Sequence, residues 1–157
     1  MAAKKPAELK PGDPAPAIQL MTDAGQPFDL AALKGKKVVL YFYPKADTPG
    51  CTKESCDFRD NMARLKSKKV EVVGISPDTV AKQAKFKTKF DLPFTLLADH
   101  EAKAAEAYGV WKEKSMYGKT YMGVERTTFL IDADGRIAKI FPKVKVDGHV
   151  DEVLAAL

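Results

Sequence analysis

The run Lys37-Val-Val-Leu-Tyr-Phe-Tyr43 constrains the fold more than any other stretch of the chain. After the lysine it is β-branched, aliphatic or aromatic at every position, without polar alternation, the pattern of a strand covered on both faces. Pro44 ends the run, and a helix start follows at once. Thr48 suits an N-cap, Pro49 suits the first helical position, and Phe58, Met62 and Leu65 recur at helical spacing. A strand buried on both sides needs helices packed on the sheet it belongs to, so an α/β domain is expected.

The rest of the chain fits that expectation. Ile18 to Leu30 reads as an N-terminal β-hairpin, with turn residues between two short apolar patches. Val70-Glu-Val-Val-Gly-Ile75 reads as a second buried strand, and Asp78 as the cap of a helix carrying Phe86 and Phe90 on one face. Thr95–Ala98 reads as a short strand and Ala102–Tyr108 as a helical segment. Gly109 to Gly123 shows no clear period and reads as a long loop. Arg126–Ile131, Asp134-Gly135 and Arg136–Phe141 form a hairpin with its turn chemistry written out. Val150–Leu157 closes the chain as a short amphipathic helix. The expected architecture is a central mixed β-sheet flanked by helices, and sites in such sheets form beyond the carboxyl ends of the central strands. Pro44 to Cys51 lies there.

At 157 residues the chain fits one domain, expected over residues 11–157. Residues 1–16, rich in Pro, Lys and Ala, read as an extended lead-in, with residues 1–10 set apart as its flexible part. No apolar run approaches the roughly 18 residues of a membrane span, and no apolar segment follows the N-terminal lysines. A cytoplasmic location is the expectation. The net charge of +5 raises nucleic-acid binding, but 22 of the 26 basic residues are lysines scattered among acids. Arginine, the better residue for bidentate phosphate and base contacts, occurs only four times, so a solvated lysine-rich surface is the simpler reading.

Two cysteines, Cys51 and Cys56, are too few and too close for a disulfide-stapled secreted scaffold. With Thr48 as the cap, Cys51 falls in the first helical turn, where backbone N–H groups lack intrahelical partners and the helix dipole favours negative charge. Its sulfur is therefore expected to hold more thiolate at neutral pH than an ordinary cysteine. Gly50 adds open backbone for a small substrate, and the Thr48 hydroxyl can point back at the sulfur. Inert packing is the common role of a free cysteine, but polar Thr-Pro-Gly surroundings at a helix start favour the reactive one. Cys56, five residues on, would lie roughly 8.7 Å away between Cα atoms in an ideal helix. A disulfide needs less than about 7 Å. Either Cys56 is a bystander, or the helix unwinds locally to let the sulfurs meet.

Arg126 starts an apolar strand. It either ends that strand in solvent or brings a guanidinium to Cys51 to stabilise thiolate and polarise a bound oxygen. Sequence spacing does not decide between the two. The two cysteines with His100 and His149 could supply four metal ligands, but their spacings match no common zinc pattern, and both histidines read as surface or capping residues. Gly118-Lys119-Thr120 resembles the end of a phosphate-binding loop, yet Glu113 stands where that motif needs glycine and no strand leads in.

With these residues in view, the chain resembles the peroxiredoxins. Pro44-x-x-x-Thr48-x-x-Cys51 matches that family's active-site motif at each defining position, and Arg126 falls where its active-site arginine is expected. Cys56 resembles the arrangement of the bacterioferritin comigratory protein group, also called PrxQ. Gly12-Asp-Pro-Ala-Pro16, Gly74-Ile-Ser-Pro-Asp78 and Phe129-Leu-Ile-Asp132 resemble that group as well.

The resemblance implies a thioredoxin-like fold and a two-cysteine cycle on hydroperoxides. Cys51 would be the peroxidatic residue and Cys56 the resolving one, joined in an intramolecular disulfide after local unfolding of the helix. Thr48, Arg126 and the Cys51 N–H would hold the two peroxide oxygens, while Pro44 would shield the thiolate; Glu54 also resembles a residue near the family's site. The resemblance further implies thioredoxin as reductant, no cofactor or metal, and a monomer. Two rival readings remain at this stage. A disulfide oxidoreductase would carry Cys-x-x-Cys rather than four intervening residues, and a basic binding protein would leave Pro44, Thr48, Cys51 and Arg126 without a common reason.

Overall fold

The computed structural model describes residues 9–157. Residues 1–8, most of the expected flexible lead-in, lie outside the described residues. The following residues are tied down rather than loose. Leu9 packs against the core, Gly12 N donates to Ile137 O at 2.7 Å, and Ala15 N donates to Gly135 O at 3.0 Å.

The expected N-terminal hairpin is present as β1 (Gln19–Thr22) and β2 (Pro27–Asp29), followed by a single 3-10 turn over Leu30–Leu33. Asp29 caps that turn by accepting the Ala31 N–H at 3.0 Å. The apolar run forms β3 (Lys37–Phe42), buried at every position after Lys37. Then come α1 (Pro49–Asp60), α2 (Met62–Ser67), β4 (Val70–Ser76), α3 (Val80–Phe90), β5 (Thr95–Ala98) and α4 (Lys103–Ala107). The chain ends with β6 (Trp111–Met116), β7 (Lys119–Val124), β8 (Thr127–Ile131), β9 (Ile137–Phe141) and α5 (His149–Ala156).

Seven strands form one mixed sheet in the order β2-β1-β5-β4-β3-β8-β9, with β3, β4 and β5 parallel and the outer pairings antiparallel. Side chains alternate across β3, which divides the core in two. Val38, Leu40 and Phe42 join the cluster containing α4, whereas Val39, Tyr41 and Tyr43 join the cluster built from α1, α2, α3 and α5. The second cluster holds an aromatic stack, with Tyr41 and Phe58 centroids 4.7 Å apart and Tyr41 and Tyr43 centroids 5.4 Å apart. Gly74 makes room for it: a Cβ there would lie 2.8 Å from the Tyr41 ring.

Four sequence expectations change. The helix expected to run through Met62 breaks at Asn61, whose side-chain amide donates to Asp57 O at 2.8 Å and diverts the backbone between α1 and α2. The cap of α3 is Thr79, which accepts the Lys82 N–H, while Asp78 turns to other donors. The expected loop over residues 109–123 is largely the β6–β7 hairpin, closed by Tyr117 and Gly118, both at positive φ. It escapes a periodicity test because it is exposed over most of both faces, with Met116, Tyr117, Tyr121 and Met122 open to solvent. Finally, His149 is buried rather than superficial. Its Nε2 lies 2.8 Å from the Thr128 hydroxyl, its ring meets Phe58 and Phe141 edge-on, and burial pushes its imidazole pKa down.

Candidate active site

The site lies where β3 ends. Pro44 stops the strand, the chain bends through Asp47 at φ 62°, and α1 starts at Pro49 with Thr48 as its N-cap. Cys51 sits in the first turn of α1, fully buried against the aromatic cluster. The Thr48 hydroxyl gives its proton to Lys45 O at 2.8 Å rather than to the sulfur. An oxygen that has spent its one proton this way presents only acceptor lone pairs to a neighbour.

Arg126 arrives by sheet register. Phe42 pairs with Thr127, so the residue before Thr127 lies at the end of β3, and its carbonyl is held there by the Val144 N–H at 2.9 Å. Its guanidinium is shared between two partners: Nη2 donates to Cys51 Sγ at 3.2 Å and Nη1 to Glu54 Oε1 at 2.7 Å. Of the two readings that spacing left open, the structure adopts the one with Arg126 at the sulfur. Gly50 allows this approach, because a Cβ there would stand 3.1 Å from Arg126 Nη2. The open backbone expected to admit a substrate thus admits the arginine.

Glu54 belongs to the same group, three residues after Cys51 and so on the same side of α1. Oε1 is paired; Oε2 is buried without a hydrogen-bond partner among the described residues. Burial raises the carboxyl pKa, the Arg126 charge offsets part of the rise, and the result is about 7. Glu54 therefore exchanges its proton near neutrality while gripping the arginine that touches Cys51. Lys114, on β6, also feels this site. Burial and then the Arg126 charge push its ammonium pKa down. Nothing in its sequence neighbourhood marks it.

Cys56 lies on α1, partly buried, and both cysteines are free thiols in an unbroken helix. Burial pushes the Cys56 thiol pKa up, against a smaller opposing effect of Arg59. The two sulfurs thus differ in kind: one receives a guanidinium hydrogen bond, and the other favours the protonated thiol. Pro44 is half-buried at the loop entrance. Among the described residues, no group of three or more His, Cys, Asp or Glu side chains is placed to hold a metal ion. No helix among them is long and apolar enough to cross a membrane.

Comparison with known proteins agrees with this geometry. Residues 11–140 match the AhpC/TSA family. Peroxiredoxin Bcp of Bacillus subtilis is 52% identical over 93% of this chain and 93% of its own length. The solved structure of the Xanthomonas campestris bacterioferritin comigratory protein, described for its alkyl peroxide reduction activity, is 39% identical. It superposes with a TM-score of 0.85 over 88% of each chain. A cysteine variant of Xylella fastidiosa PrxQ gives a TM-score of 0.89 at 34% identity over 95% of each chain. The sheet order, the cysteine at the start of α1 and these matches agree that the chain belongs to the AhpC/TSA family as a peroxiredoxin of the Bcp/PrxQ group, a thiol-dependent peroxidase.

Proposed function

We propose that Cys51 performs the peroxide chemistry and Cys56 resolves it, with Thr48, Arg126 and Pro44 shaping the site. The observation that carries this reading is the 3.2 Å hydrogen bond from Arg126 to a buried sulfur in the first turn of a helix. The Cys51 thiolate attacks the hydroxyl oxygen of ROOH. An S–O bond forms as the O–O bond breaks, and RO⁻ leaves and takes up the proton that the thiol gave up. Arg126 stabilises the charge as it passes from sulfur to oxygen, and the Thr48 lone pairs accept the peroxide hydroxyl. Pro44 limits water at the sulfur.

The resulting Cys51 sulfenic acid condenses with the Cys56 thiol, losing water to form an intramolecular disulfide. Both cysteines lie on α1, so this step requires the helix to open between them. A dithiol reductant then restores two thiols and leaves as its own disulfide; thioredoxin is the reductant we assign. The substrates are hydrogen peroxide and organic hydroperoxides, a reading favoured by the alkyl peroxide activity described for the Xanthomonas protein. We assign the monomer as the working unit. We further assign the catalytic domain to residues 11–157, the preceding ten as a lead-in, and the cytoplasm as its location.

Intact-mass titration of the reduced protein with hydrogen peroxide tests the reading. Loss of two hydrogens at one equivalent, mapped to a Cys51–Cys56 bridge, is expected. Thiols that remain reduced after prolonged exposure would remove Cys51 from this role.

A further inference from the structure

We propose that Asp78, outside the reacting group of residues, is a positioning residue that sets Thr48 for reaction at Cys51. The inference rests on Cys51 as the peroxide-attacking sulfur. Asp78 closes the stretch Gly74-Ile-Ser-Pro-Asp78 at the end of β4 and is only 6% exposed. One of its oxygens, Oδ2, accepts two short hydrogen bonds, from Ala46 N at 2.7 Å and from the Ser76 hydroxyl at 2.6 Å. A buried carboxyl oxygen needs such donors, and the Ser76 hydroxyl and the Ala46 N–H hold this one from two sides.

The Ala46 N–H and the Lys45 carbonyl are opposite edges of one planar peptide group, and no peptide among the described residues is cis. Holding the N–H toward Asp78 therefore aims the Lys45 carbonyl the other way. That carbonyl is the acceptor of the Thr48 hydroxyl proton. Asp78 thus decides, through one rigid plane, where the Thr48 proton goes and which lone pairs remain for the peroxide.

The bend between them needs such a hold. Asp47 has φ 62°, a left-handed conformation unfavourable for a residue with a side chain. Its own ion pair with Lys89, at 2.9 Å, has both side chains about half exposed, and surface pairs of that kind hold little. The buried Asp78 contact is the stronger restraint. Beneath it, Tyr43 donates to Gln83 Oε1 at 2.7 Å and Gln83 donates to Leu97 O at 2.8 Å, so the floor of the loop is itself pinned to β5.

The test is the second-order rate constant for Cys51 oxidation by hydrogen peroxide in the reduced protein, measured by stopped flow. Asp78→Ala should slow it by about tenfold, equivalent to ~1.4 kcal/mol of barrier. Asp78→Asn keeps an acceptor oxygen at the same place and should stay within about threefold of wild type. Ser76→Ala leaves Oδ2 with the Ala46 N–H alone and should slow oxidation, by less than Asp78→Ala does. In a Thr48→Val background, Asp78→Ala should add less than about a twofold effect, because the two act as one unit.

Wild-type rates in a folded Asp78→Ala protein would overturn the proposal. So would equal slowing by Ala and Asn, slowing by Ser76→Ala greater than that by Asp78→Ala, or a full additional effect in the Thr48→Val background. Amide exchange of Ala46 in the wild-type protein gives a reading that does not depend on any variant folding. Protection is expected, and exchange at the free-peptide rate would refute the hold. A wild type that peroxide does not oxidise at Cys51 would remove the underlying function. A wild type that is oxidised, with Asp78→Ala equally fast, would remove only the role of Asp78.

Discussion

Replacing Glu54 by Gln should flatten a pH dependence of stability that runs opposite to the usual carboxylate pattern. In the folded protein the Glu54 pKa is raised from 4.5 to about 7, chiefly because the carboxylate loses its water, although Arg126 lies 2.7 Å away. A raised folded-state pKa means that the folded chain binds the proton more tightly than the unfolded one. The stabilisation is complete below about pH 4.5 and is lost as pH rises through about 7. A rise of about 2.5 units corresponds to about 3 kcal/mol, and a carboxyl that is 1% exposed leaves little solvent to reduce it. Urea denaturation of reduced wild type and Glu54→Gln at several pH values would measure this difference. The wild type should lose about 3 kcal/mol relative to the variant between pH 4.5 and 7, and little more above. Parallel curves would refute the reasoning. A wild type that gained on the variant as pH rose would mean that the Arg126 charge outweighs burial.

Three further outcomes are expected. Gly50→Ala should slow Cys51 oxidation by up to roughly tenfold, since its Cβ would press on the Arg126 nitrogen that bonds the sulfur, and a charge-assisted hydrogen bond contributes about 1.5–3 kcal/mol; an unchanged rate constant would refute the dependence of that bond on Gly50. Phe58→Ala should cost about 3–5 kcal/mol in chemical denaturation, because the ring is fully buried between Tyr41 and His149, and a loss below 1 kcal/mol would contradict that packing. His149, whose pKa burial lowers, contributes stability that is present above about pH 6.5 and lost as pH falls further; Glu152 opposes this lowering and Arg126 reinforces it. His149→Phe should remove that acid sensitivity in thermal melts, and an identical acid limb in the variant would assign it elsewhere.

Elements with strong local signals were legible in the sequence. β3 announced itself by apolar residues on both faces, the start of α1 by Thr48-Pro49, and the β8–β9 turn by Asp134-Gly135. The β6–β7 hairpin was not, because its exposure leaves no apolar rhythm and only Tyr117-Gly118 marks its turn. Motif residues at the site were legible for a related reason: Pro44, Thr48 and Cys51 are local neighbours. The contacts that give the site its electrostatics join residues far apart in the chain, 75 positions for Cys51 with Arg126 and 72 for Glu54 with Arg126. Such pairings follow from sheet register, which spacing does not encode. His149 was misread for the same reason, since its partner Thr128 lies on a different element. Asp78 passed for a helix cap because its local signal is identical whether it bonds forward into α3 or across to Ala46.

The break at Asn61 bears on how this molecule opens. Regions of a protein come apart in cooperative units whose edges fall where hydrogen-bond ladders are interrupted. The ladder of α1 ends at Asn61, and α2 starts afresh with Leu65 fully buried beneath it. Fraying that began at Cys51 would meet that interruption at Asn61 before the floor of the core. The segment that must yield in the proposed disulfide step is short and bounded, so that step would reopen and reseal a few turns while the rest of the domain keeps its packing.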